Sequence, residues 1–241
     1  MYRNSVLKYG PGMVEYELDD GIATITMDDG KANVMSPDMI AAVDAAFDRA
    51  AAEEAIVVLT GRVGMFSAGF DLAILGQGRY AALSMVRAGF ELAERAVRFP
   101  RPVVAAVPGH AIAMGAFLML AADHRIGVDG PFRTVANEVE IGLTMPLPAV
   151  ELLRLRLTPA AFDRAAVLSE EFRGEAAVAA GWYTELAAPE ALMARAHEVA
   201  QSYRRLDPAA FRATKLRARQ RCLDAMHAGT SADFDAYRSA V

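Results

Sequence analysis

One cysteine, Cys222, is all that the 241 residues contain. It excludes an internal disulfide framework and any multi-cysteine metal site, and fits a reducing, cytoplasmic setting. Positive charge is short as well: 25 Lys and Arg face 30 Asp and Glu, for a net charge of −5. That balance excludes a globally basic nucleic-acid binder. With 18 Gly and 11 Pro the chain is not of low complexity. The start, Met1-Tyr2-Arg3-Asn4-Ser5, leads into no apolar h-region, so no signal peptide is expected. Pro102 to Ala122 lacks Asp, Glu, Lys and Arg, and about 20 apolar residues suffice to cross a membrane. Pro108-Gly109-His110 splits that run into a β-branched piece and an Ala/Met/Leu piece, which reads as a buried strand and a buried helix. No membrane span is expected.

The chain is 54% hydrophobic and 23% charged, enough to bury a full core. Its charge is uneven. Between Arg204 and Arg221 seven basic residues stand against Asp207 alone, a local +6 that leaves −11 for the remainder. Such a stripe suits a specific anion, an acidic subunit face or a solvated helix face.

Met13–Leu18 and Ile22–Met27 are β-rich runs around Asp19-Asp20-Gly21, a hairpin signal. Ser36-Pro37 opens a helix in which Met39, Ile40, Val43, Phe47 and Ala50 repeat at helical spacing. Strands are expected at Ile56–Leu59, Val103–Val107, His124–Val128 and Trp182–Leu186. Helices are expected around Tyr80–Phe99 and Met114–Ala122, and helices dominate from Pro146 onward. No fixed-period repeat is visible. The pattern is an α/β core over residues 1–187 with a helical region over 188–241. Its two amphipathic helices, split at Asp207-Pro208, are too few to bury a core alone and should pack on the core or on a neighbouring subunit.

Two segments share one design, a buried strand running into a Gly-bearing turn that opens a helix. They are Val57–Gly69 with Phe70-Asp71, and Val103–Gly115. Small residues admit a ligand close to the backbone, and N–H groups at a helix start hold negative charge. Two such turns side by side could aim two N–H donors at one oxygen, the oxyanion hole that an enolate or a tetrahedral anion needs.

The residues themselves resemble a family. Thr60-Gly61-x4-Phe66-Ser67-Ala68-Gly69-Phe70-Asp71-Leu72, Arg101–Val107 with Gly109, and Asn137–Pro146 are similar to the crotonase (enoyl-CoA hydratase/isomerase) superfamily. Asn33-Val34-Met35-Ser36 and Phe211-x3-Lys215 extend the likeness over nearly the whole chain, though the tail after Lys215 is short for the family. The resemblance implies a spiral of ββα turns making two roughly perpendicular sheets, then a helical trimerisation region. It implies an acyl-CoA substrate, no cofactor beyond the CoA of that substrate, and a homotrimer or dimer of trimers. It places the oxyanion donors at the N–H groups of Phe70 and Met114, where the second site reads Ala113-Met114-Gly115 instead of the common Gly-Gly-Gly. Substrate or CoA contacts carry over to Lys31, Ala32, Ala68, Asp71, Leu72, Phe117 and Lys215, the last through CoA phosphate.

Hydratases of the family use two glutamates. The second matches Glu138; at the first this chain has Phe117. Two carboxylates divide the holding of water and the delivery of a proton, whereas one carboxylate beside an oxyanion hole suffices for a 1,3-proton shuttle. The resemblance therefore favours Δ3,Δ2-enoyl-CoA isomerisation, with Glu138 raised in pKa by apolar neighbours. A true hydratase relying on Glu138, and a catalytically weak acyl-CoA-binding or assembly subunit, stay open. Glu140 would point to the opposite face of an extended segment. Asp71 reads better as a helix N-terminal carboxylate than as an acid catalyst, and His110 better as a structural histidine. Ser67 lacks the Gly-x-Ser-x-Gly context of a hydrolase nucleophile. No His/carboxylate pair has metal-ligand spacing, so no metal is expected.

Overall fold

A computed structural model describes residues 6–239. Met1–Ser5, on which the signal-peptide expectation rests, lies outside the described residues. β1 (Leu7–Tyr9), β2 (Val14–Asp19) and β3 (Ile22–Met27) form an antiparallel meander. Its tight turn uses Asp20 and Gly21, both at positive φ (45° and 74°), the conformation whose twist matches the flanking strands. α1 (Pro37–Ala52) starts on Ser36, whose Oγ accepts the Met39 N–H at 3.2 Å.

From there the chain repeats one unit three times. β4 (Ile56–Thr60) enters a large sheet, β5 (Gly64–Ser67) a small one, and α2 (Leu72–Gly76) with α3 (Arg79–Arg98) returns. β6 (Val103–Val107), β7 (Gly109–Ile112) and α4 (Met114–Ala121) repeat the pattern. β8 (His124–Val128), β9 (Thr134–Val135) and α5 (Leu147–Arg156) repeat it again. α6 (Pro159–Ala166), α7 (Gly174–Ala180), β10 (Glu185–Ala187), α8 (Leu192–Ser202) and α9 (Pro208–Ser239) complete the fold. The large sheet has the order β1-β2-β3-β4-β6-β8-β10 and the small one β5-β7-β9.

Alternation along β4 and β6 sends Val57, Leu59, Val103, Ala105 and Val107 into the main core, and Ile56, Val58, Val104 and Ala106 against Leu192, Ala196, Val199 and Ala200 of α8. Burial on both faces explains why these strands read as unbroken apolar runs. The α8 helix thus covers the outer face of the sheet, while α9 lies against α3 and α5. Neither builds a core of its own, and α9 packs on its own chain. The small sheet, the second of the two implied by the resemblance though its strands carry no local sequence signal, is what brings the two Gly-bearing turns together. Two details differ from expectation: the helix that opens after Asp71 is a short α2 separate from α3, and the last strand lies at Glu185–Ala187, beyond a buried Trp182.

Candidate active site

The site begins at the chain between β3 and α1. Asp29 Oδ1 accepts the N–H groups of Lys31 (2.7 Å) and Asn33 (2.9 Å), winding a turn that leaves Asn33 at φ 49° and fully buried. Asn33 Nδ2 donates to Met27 O (2.8 Å) and Phe66 O (3.2 Å), clamping this turn to the ends of β3 and β5. Side by side, Ala68 N–H donates to Ala32 O (3.0 Å) and Met35 N–H to Gly69 O (2.8 Å). In this parallel pairing of Met35 with Phe70, the Gly69 carbonyl faces Met35, so the Phe70 N–H points to the opposite edge. Lys31 is exposed at the rim, with the Arg62 guanidinium on its carbonyl oxygen, a contact that no local sequence signal announces.

β5 and β7 run parallel, with Ser67 opposite Ala111, and each then turns into a helix. Gly69 sits at φ 90° against the second turn: a Cβ there would lie 2.9 Å from Ala113 Cβ and 3.4 Å from Met114 N. Met114 opens α4, so its N–H has no acceptor within the helix. Two backbone donors thus stand on adjacent turns. Met114 and Phe117 are buried, and their side chains lie toward α3. The Phe70, Phe90 and Phe117 rings form a cluster, edge to face with centroids 6.2 Å apart in the first pair and tilted at 5.9 Å in the second. Where a second glutamate would hold water, the wall is aromatic.

β9 pairs with β7, and Val135 O accepts the Ala113 N–H at 2.9 Å. Three residues beyond Val135 comes Glu138, in a turn closed by Leu143 N–H on Glu138 O at 2.8 Å. Its segment is a turn, not the extended stretch expected; Glu140 still points away, exposed, with its N–H on Ser169 Oγ. Glu138 is only 6% exposed, and its Oε2 is buried with no hydrogen-bond partner among the described residues. Burial pushes its pKa up to about 7.

Geometry also places the other residues singled out in the sequence. Asp71 caps α2 through Oδ1, which accepts the Ala73 N–H at 2.8 Å, and Leu72 beside it is exposed. His110 Nδ1 accepts the Arg133 N–H (3.0 Å), and burial lowers its pKa, as suits a structural histidine. Ser67 Oγ accepts the Gly69 N–H. Among the described residues no three His, Cys, Asp or Glu side chains gather as metal ligands, and no helix is long and apolar enough to cross a membrane.

Lys215 does not fit the phosphate role. Its side chain is 3% exposed and its Nζ lies 2.7 Å from Asp123 Oδ2, while Arg219 takes Asp123 Oδ1 at 2.7 Å. Burial lowers the Lys215 pKa to about 8. The lysine is consumed in tethering α9 to the end of α4, a buried pair whose halves need each other. Of the basic stripe, Arg204 meets Asp20, and Arg205, Arg212, Arg217 and Arg221 are solvent-exposed.

Known proteins resemble this chain over most of its length. The family model described as enoyl-CoA hydratase/isomerase matches residues 17–240. The chain belongs to the enoyl-CoA hydratase/isomerase family. It is an enzyme of the hydratase/isomerase class. A Thermus thermophilus protein carrying an enoyl-CoA hydratase name is 33% identical over 213 residues, 84% of this chain and 82% of its own. The crystal structure of an enoyl-CoA hydratase/isomerase family protein from Pseudomonas syringae superposes with a TM-score of 0.91 at 43% identity, covering 92% of this chain and 97% of that one. A Mycobacterium tuberculosis structure named as an enoyl-CoA isomerase gives 0.89 at 44%, covering 95% and 99%. A second structure of that protein is named as a probable enoyl-CoA hydratase and gives 0.90 at 46%, covering 92% and 96%.

Proposed function

We propose that the protein converts 3-enoyl-CoA thioesters into 2-enoyl-CoA, with Glu138 as the only carboxylate in the proton path. The observation that carries this reading is a buried Glu138 carboxyl whose Oε2 has no hydrogen-bond partner among the described residues, in a site whose second-glutamate position is filled by Phe117 within an aromatic cluster. The base takes a proton from C2 and returns it at C4. Between those steps the thioester oxygen carries enolate charge, held by the N–H groups of Phe70 and Met114. A carboxyl poised near pH 7 is matched to both halves of such a shuttle. CoA enters as part of the substrate. Ala32 and Ala68 line the strand-like edge beside the donors, Lys31 and Asp71 with Leu72 stand at the rim, and Phe117 bounds the acyl end.

The protein works as a trimer or dimer of trimers in this reading, in the cytoplasm. Val139, Ile141 and Leu143, on the same turn as Glu138, and the nearby Leu147 and Leu168 are 44–70% exposed, an apolar surface that a second copy would cover. The test is a paired assay of the purified protein with 3-enoyl-CoA and 2-enoyl-CoA, with Glu138→Gln as control. Isomerisation faster than hydration supports the reading. Robust hydration with negligible isomerisation refutes it and requires a second group that holds water.

A further inference from the structure

Ala113 has a backbone conformation that alanine rarely adopts, φ 49° with ψ −123°, between the two donor-bearing turns. Its side chain is the reason this is informative. A residue with a Cβ is strained there, and glycine would relax it, so the methyl persists against local preference. That methyl lies against Gly69: a Cβ built on Gly69 would come within 2.9 Å of it. Gly69 directly precedes Phe70 and Ala113 directly precedes Met114, so this one contact joins the residues behind both donors. On its other side Ala113 is held by its N–H on Val135 O, and Val135 leads into the Glu138 turn.

We infer that Ala113 is a positioning residue: its strained backbone and its methyl together fix the separation and direction of the Phe70 and Met114 N–H groups before substrate arrives. The inference rests on the oxyanion-hole reading above. Glycine at 113 would keep the fold and the donors but let the turn sample other dihedrals, so each enolate would have to organise its own hole. A wedge that acts on the anion and not on CoA binding alters kcat and leaves KM alone.

The experiment compares wild type, Ala113→Gly and Ala113→Ser. Turnover is measured on 3-enoyl-CoA, and the ultraviolet absorbance of bound acetoacetyl-CoA reports how far a 3-ketoacyl thioester is held as its enolate. The second readout needs no turnover and no contribution from Glu138. Ala113→Gly should lose about tenfold in kcat, or about 1.4 kcal/mol of transition-state stabilisation, with KM unchanged. Its enolate signal should fall in parallel, and its melting temperature should not drop. Ala113→Ser, which keeps a substituent at Cβ, should recover most of both signals. Wild-type kcat and enolate signal in Ala113→Gly overturn the inference and leave the proposed function standing. So does a loss of kcat that comes with a lower melting temperature or a raised KM. A wild-type protein with neither turnover nor enolate signal overturns both.

Discussion

Replacing Glu138 by glutamine should stabilise the protein at alkaline pH and silence it at every pH. In the folded protein the carboxyl is buried, with Oε2 lacking a hydrogen-bond partner among the described residues, and burial raises its pKa from 4.5 to about 7. The folded state therefore binds more protons than the unfolded chain between these values, and stability falls as pH rises through that window. At about 1.4 kcal/mol per pH unit the ionised carboxylate costs the fold about 3 kcal/mol above pH 8, a cost that an uncharged glutamine of the same shape avoids. Unfolding entropy of about 2.1 cal/mol/K per residue makes that about 6 °C for a chain of this length. Thermal unfolding of wild type and Glu138→Gln, followed from pH 4.5 to 8.5, should show melting temperatures within about 1 °C at the acid end and a gap opening in favour of the variant at the alkaline end. Over the same range wild-type kcat/KM should rise to a plateau through about pH 7 as the base ionises, and the variant should lose at least ~100-fold in turnover. A melting difference independent of pH, or a variant less stable at pH 8.5, would refute the claim that this carboxyl is buried at a cost for the sake of chemistry.

Lys215→Ala should cost about 3 kcal/mol in denaturant unfolding by breaking the buried pair with Asp123, while calorimetric affinity for CoA stays unchanged. Weaker CoA binding with normal stability would restore the phosphate role. Gly69→Ala should lower turnover at least ~100-fold, because the new Cβ meets Ala113 at 2.9 Å and φ 90° is strained for alanine; wild-type kinetics would contradict the placement of the donors. Ile141→Asp combined with Leu168→Asp should lower the mass measured by light scattering to that of one chain, and an unchanged trimer would place the subunit contact elsewhere.

The elements legible in the sequence are those whose signal is local. The hairpin, α1 with its Ser36 cap, the two doubly buried strands and the helix after each Gly-bearing turn need only a few neighbouring residues to declare themselves. The small sheet is different. Gly64–Ser67 and Gly109–Ile112 mix glycine, histidine and serine with short apolar pairs, and they become strands by pairing with each other and, for β7, with β9. Glu138 and Phe117 could be singled out through resemblance, but the partnerless burial of Glu138 is a tertiary fact. Lys215 failed for the same reason. A basic stripe says nothing of Asp123, ninety-two positions earlier, which turns the lysine inward.

Because β5 and β7 are hydrogen-bonded neighbours, the two Gly-bearing turns start from strands about 4.8 Å apart, and the Ala113 methyl against Gly69 sets the finer separation of the proposed donors. Side chains at 70 and 114 take no part in that dimension. On the proposed function the shape of the acyl pocket can therefore vary, with methionine standing where the family commonly has glycine, while the capacity to hold an oxyanion stays with the sheet and the Ala113 wedge. Substrate range and chemical step are separable traits in such a scaffold. Selection on residues 70, 90, 114 and 117 can retune the one and leave the other where the backbone keeps it.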